Sequence, residues 1–147
     1  MNKITLLFYI VSLFILCVIS KTDMKKRCIT NKNLLSLFLV KCVYLVIIYC
    51  AAKNQIKEYI LDSLAGFLAF YLIFYVIWRI KSQDIGKGDV YLCTVGGFVF
   101  GFSLQVRIVI LSLLLLFFYG VILIFQKKKK RNDCFPYAPF YTIAFLG

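Results

Sequence analysis

A helical bundle embedded in a membrane is the fold class this sequence predicts, on three observations. Of the 147 residues, 63% are hydrophobic, against roughly 45–50% in ordinary soluble domains. The mean hydropathy is +0.90. The apolar residues fall in long continuous runs, without the two-residue alternation of a lipid-facing barrel strand. A soluble core of this size has no room for so many Leu, Ile, Val and Phe side chains. The expectation is an all-α, polytopic bundle forming one domain over residues 1–147, with five full spans and a short sixth segment.

The runs are Ile4–Ser20, Leu34–Ala52, Ile60–Trp78, Val90–Leu104, Ile108–Phe125 and Phe135–Gly147. Crossing about 30 Å of hydrocarbon takes roughly 20 helical residues. The first, second, third and fifth runs meet that length, and the fourth meets it when its polar flank from Gly86 is counted. The last is too short and reads as a half-span, a re-entrant segment or the remnant of a longer helix. The first run is expected to stay as a membrane helix: "KTDMKKRC" follows it where a secretion signal would carry small cleavage-site residues.

Charge orients the spans. The formal net charge is +12, from 18 Lys and Arg against 6 Asp and Glu. The cations cluster between apolar runs, a pattern that suits anionic lipid headgroups and not nucleic acid. Lys21, Lys25, Lys26, Arg27 and Lys32 separate runs one and two; Arg79, Lys81 and Lys87 separate three and four; Lys127–Arg131 follow five. The opposite side holds only Lys3, Lys53, Lys57 and Arg107. The positive-inside rule then puts the N-terminus outside and the three basic segments in the cytoplasm. With no histidine in the chain, His-based catalysis and most catalytic zinc sites are excluded. The six cysteines form no C-x-x-C pair, and all six read as structural; no metal or cofactor is expected.

This topology brings two distant acids to one surface. Asp23 follows the first run and Asp89 precedes the fourth, so both emerge at the cytoplasmic side. Two carboxylates at a low-dielectric boundary do not both ionise easily, and one can serve as base while its neighbour holds a proton. Such a pair can activate water against a peptide carbonyl. Asp89 stands in "GKGDVYL", where Gly86 and Gly88 would let a substrate backbone approach and tolerate unusual dihedrals. The simpler alternative for Asp89 is a helix cap, and for Asp23 a solvated acid in a basic loop. Spacing alone does not choose between these readings.

Three blocks carry a family resemblance. "KTDMKKRCITNKNLL" (Lys21–Leu35) resembles the first aspartate block of the prepilin peptidases, "GKGDVYL" (Gly86–Leu92) their G-x-G-D block, and "CFPYAPFYTIAFLG" (Cys134–Gly147) their proline-containing C-terminal segment. They occur in the family's order across nearly the whole chain. The resemblance implies a membrane-embedded aspartic endopeptidase of the bacterial inner membrane. It would remove the short leader of type IV prepilins or pilin-like proteins on the cytoplasmic side, with Asp23 and Asp89 as the catalytic pair. No segment here matches the Cys-rich insert of the larger members, which also methylate the product. The chain therefore resembles the small, protease-only type that serves tight-adherence (Flp) pili. It departs from the pattern at Thr30, where proline is common, and at Tyr91, where lysine is frequent; Lys87 is a candidate substitute for that lysine.

Other residues have plainer readings beside functional ones. Lys41 lies seven residues into the second run, about 10 Å deep, and either snorkels to the cytoplasmic surface or serves the aspartate pair. Gly97 and Gly101 form a G-x-x-x-G that suits close helix packing. Glu58 and Asp62 share an outer helical face expected to be solvated. Asp84 rivals Asp89 but lacks the glycine frame. The competing reading of the whole chain is a non-enzymatic multipass protein, a transporter subunit or secretion accessory factor, in which the acids cap helices or line an ion path.

Overall fold

The computed structural model describes residues 3–26, 28–51, 56–80, 86–126 and 136–147. Asp84, the lysine run Lys127–Lys130 and Cys134 lie outside the described residues. The described residues form six helices: α1 (Lys3–Lys26), α2 (Asn31–Ala51), α3 (Ile56–Ile80), α4 (Lys87–Phe100), α5 (Phe102–Phe125) and α6 (Ala138–Leu146). Among the described residues there is no strand. The predicted all-helical bundle is what the chain forms.

The span count differs from expectation. Among the described residues four helices, α1, α2, α3 and α5, are long and apolar enough to cross a membrane. Helix α4 has 14 residues, so it rises only about 21 Å, short of the roughly 30 Å of a hydrocarbon core. The cause is Gly101, the only described glycine with positive φ, at 79°. It ends α4 inside the predicted fourth run, and α5 begins at the next residue. Gln105, Val106 and Arg107, expected to link two spans, are therefore part of α5. Helix α6 has nine residues, about 14 Å of helix.

Helix α4 occupies the centre of the bundle because its side chains are small. Eight of its residues are buried, among them Cys93, Thr94, Gly96 and Gly97. It forms an antiparallel hairpin with α3: Lys87 lies over Trp78, Gly97 meets Gly66, and Phe102 just beyond the turn is bonded to Asp62. A Cβ on Gly97 would come 2.5 Å from the Gly66 carbonyl oxygen, so the two backbones touch there. The G-x-x-x-G pattern is thus divided, with Gly97 in helix packing and Gly101 in the reversal.

Helix α6 runs antiparallel to α1 in the interior. The Ser20 hydroxyl donates to the Ala138 carbonyl at 3.0 Å and lies 2.6 Å from the Thr142 hydroxyl, which also reaches the Leu16 carbonyl. Tyr141, fully buried, donates to Gln105 Oε1 at 2.7 Å, and Gln105 Nε2 donates to the Cys93 carbonyl at 3.0 Å. Tyr137 and Ser112 pair at 2.8 Å. Polar groups between helices in a bilayer must find partners inside the protein, since no water competes there. Phe14, Leu61, Leu72, Phe117 and Phe118 point outward instead, as lipid-facing side chains do. The five described cysteines are free thiols.

Replacing Gly97 by Val should force α3 and α4 apart, because the atoms it meets are backbone. The expected loss is about 3 kcal/mol, at the top of the overpacking range, measured as a lowered thermal midpoint in detergent. Ser63→Ala is the contrasting case. The Ser63 hydroxyl is buried without a hydrogen-bond partner, so its removal should leave the midpoint unchanged or raise it.

Candidate active site

Asp23 lies within α1, not in a loop. The helix continues past the apolar run to Lys26, which turns Asp23 onto the face that also buries Leu16, Ile19 and Ser20. The residue is 5% exposed, so the solvated reading does not hold. The donors that receive its carboxylate come from the far end of the chain. The Ala138 N–H donates to Asp23 Oδ2 at 3.1 Å, and the Tyr137 N–H is a second donor. These are the free N–H groups at the start of α6, where a helix presents unpaired donors and partial positive charge. Pro139, in the first turn, has no N–H to satisfy.

Asp89 stands in the first turn of α4. The N-cap is Gly86, with φ −66° and ψ 137°, ordinary extended backbone that needs no glycine. Gly86 therefore does not serve the dihedral role expected of it. What its missing side chain leaves free is space beside Asp89, since a Cβ there would lie 3.4 Å from Oδ2. Gly88 does something different. A Cβ on it would sit 3.0 Å from the Ile29 Cβ, so glycine lets the first turn of α4 press against the short connection that leaves α1. That contact carries Asp89 toward Asp23.

The Asp89 carboxyl feels the Asp23 charge. Asp89 is half-buried at the mouth of the bundle, and its acidity is weakened, with the pKa pushed up to about 7, by burial first and by the Asp23 charge second. Residues 66 positions apart in the chain are thus electrostatic neighbours at one end of the molecule. The other two candidates are placed elsewhere. Lys87 Nζ lies 5.4 Å from the centre of the Trp78 ring, on α3. Lys41 is 5% exposed, with its ammonium 5.6 Å from the Phe8 ring and 5.5 Å from the Tyr44 ring. It neither snorkels to the basic end nor joins the aspartates. The acid whose charge reaches it is Asp62.

Two clefts flank the first turns of α4. One, of about 150 Å³, lies between α3 and α4 and is lined by Tyr71, Tyr75, Trp78, Lys87, Val90 and Tyr91. The other, of about 340 Å³, lies between α2 and α4, with Leu34, Leu35, Phe38 and Val95 in its walls. Tyr91 borders both. A tyrosine where the resembling family often has lysine is therefore a wall residue between two grooves.

The profile of the type IV leader peptidase family matches residues 8–124, a stretch that holds Asp23, Asp89 and both glycines of the frame. The chain belongs to the type IV leader peptidase family. It is a membrane protein and a protease of that family, whose substrates are prepilin-like proteins. No curated protein and no solved structure gives a match. The match ends before α6, so the N–H donors that α6 supplies to Asp23 lie beyond the matched segment of this leader peptidase. Sequence reasoning missed those donors. The signal for them was the Pro136–Pro139 block, which marks a helix start but not what that start faces.

The Asp89 carboxyl gives a pH signature of defined sign. The folded chain holds this proton more tightly than the unfolded chain, so the group stabilises the fold below its ordinary range and that contribution is lost as pH rises. Unfolding of wild-type leader peptidase in detergent should become easier from about pH 4 to about pH 7. Asp89→Asn should flatten that interval, and an unchanged slope would show that Asp89 does not carry the proton.

Proposed function

We propose that this leader peptidase is an aspartic endopeptidase that cleaves the short leader from prepilins or pilin-like proteins at the cytoplasmic face of a bacterial inner membrane, without N-methyltransferase activity. Asp23 and Asp89 form its catalytic pair, and Gly86 and Gly88 frame it. The observation that carries the reading is the convergence of these two acids, from α1 and α4, with unequal surroundings. Burial disfavours charge on both acids, but backbone donors at Asp23 offset part of that cost, whereas Asp89 bears it with the Asp23 charge added.

Hydrolysis then follows from two roles. Asp23 takes a proton from water as its oxygen bonds to the scissile carbonyl carbon, and Asp89 gives its proton to the carbonyl oxygen. The tetrahedral diol collapses with cleavage of the C–N bond; the leaving nitrogen takes the proton gained by Asp23, and a diol hydroxyl returns a proton to Asp89 as the new carbonyl forms. No covalent enzyme intermediate forms. Gly86 leaves the approach to Asp89 open, and Lys87 and Tyr91 line the adjoining cleft where substrate flanks would lie. The bias of Lys and Arg toward the Asp23–Asp89 end supports a cytoplasmic site with the N-terminus outside. The basic segments there would contact anionic lipid.

Co-expression with a pilin precursor tests this directly. Wild type should produce a mobility shift in the precursor, and Asp23→Asn or Asp89→Asn should each reduce cleavage by about 10²- to 10⁴-fold. Full cleavage by either variant excludes the pair. A wild-type chain inert toward pilin precursors would favour the non-enzymatic membrane protein.

A further inference from the structure

The end of α4 opposite Asp89 holds a second set of charges that the hydrolytic scheme leaves unused. Asp62, on α3, accepts a hydrogen bond at Oδ1 from the Phe102 N–H, 3.1 Å away. Phe102 opens α5, so the carboxylate satisfies a free donor at a helix N-terminus. Its other oxygen lies against Gly101, where any Cβ would collide with it. At Gly101 the chain reverses within a single residue at φ 79°. The α4–α5 junction therefore has no loop slack and is tied to α3 by one acid.

A buried cation stands within electrostatic range of the same acid. Lys41 reaches from α2, buried between the Phe8 and Tyr44 rings, and Asp62 supplies the opposite charge that it feels. A charged group within the bilayer is expensive and calls for a named partner. Arg107 lies exposed about one and a half turns into α5, and Glu58 one turn before Asp62 on α3. The bond to Phe102 singles out Asp62 from that neighbourhood.

We infer that Asp62 is a positioning residue for Asp89, holding the far end of α4 through the Phe102 N–H and Gly101, with buried Lys41 as its counter-charge. The inference rests on Asp23 and Asp89 being the working pair. Helix α4 is a short rod with Asp89 in its first turn and the Asp62 tie just past its last. The Gly66–Gly97 contact sets how closely it lies on α3, while the tie sets how far it can slide. One residue of slip along a helix is about 1.5 Å. A displacement of about 1 Å at reacting groups can cost about 10²-fold in rate.

The test uses the full chain in detergent or vesicles, with the exposed cysteines replaced by Ser. Asp62→Leu removes the acceptor and the charge, and Asp62→Asn keeps an acceptor. The first should lower kcat for pilin-precursor cleavage by about 10²-fold with KM within about threefold. The second should recover kcat to within about tenfold of wild type, and adding Lys41→Met to Asp62→Asn should cost nothing further. A Phe67→Cys, Phe98→Cys pair, whose native rings meet across α3 and α4, reports the position of α4 without any need for activity. Its disulfide yield should fall in Asp62→Leu and return in Asp62→Asn. If Asp62→Leu does not fold, Asp62→Glu, which moves the carboxylate by one methylene, should lower yield and kcat together. Unchanged crosslinking in the folded variant overturns the inference, as does a loss in KM alone. A wild-type chain that cleaves no precursor but whose crosslink still depends on Asp62 would sink the proteolytic reading and leave the tie in place.

Discussion

The constraint on which the structure depends is the close approach of α4 to its neighbours, made possible by glycine at successive points along it. Gly88 lets the first turn press on Ile29, Gly97 brings the backbone against Gly66, and Gly101 turns the chain back beneath Asp62. Gly96 makes room for the Tyr141 hydroxyl and Gln105. In lipid, apolar side chains gain little by leaving hydrocarbon for protein, so association comes from close packing and hydrogen bonds between helices. A helix built from small residues can have both. That is why the shortest of the first five helices is also the central one, and why the acid it carries is held at a defined place.

The second support is α6. A helix start brings N–H groups that have no partner within the helix, and in a bundle interior they need an acceptor. Asp23 is that acceptor, and the arrangement also gives the acid a fixed direction. Ser20 and Thr142 fasten the same junction, while Tyr137, Ser112, Gln105 and Tyr141 extend a hydrogen-bonded seam toward α5. The nine residues of α6 are thus joined to the candidate site, although the family match stops at residue 124.

The charged residues around α4 sort by which of its ends they serve. At one end Asp89 feels the Asp23 charge; at the other Asp62 ties the turn and Lys41 stands within range of its charge. The first pair was legible in the sequence because two signals converged, a charge bias that put both acids on one side and a glycine frame around Asp89. Asp62 had only helical spacing, which suggested a solvated face. It is exposed, as expected, and it also accepts a hydrogen bond from a backbone N–H that becomes available only because the chain breaks at Gly101. Lys41 was legible as a deep cation but not as one held between the Phe8 and Tyr44 rings, since depth along one helix says nothing about which neighbour stands beside it.

What the sequence determined alone was the bundle, its apolar segments and the two acids that could share a surface, because these follow from composition, run length and charge order along one dimension. It could not fix the span count, because a glycine inside an apolar run looks the same whether it packs or reverses the chain. Nor could it place Asp23 on a helix face under the start of α6, since that bond joins residues 115 positions apart. Tertiary structure decided those points, for a physical reason: a hydrogen bond or a backbone contact between helices depends on relative depth and rotation, and these are set only when all six pack together.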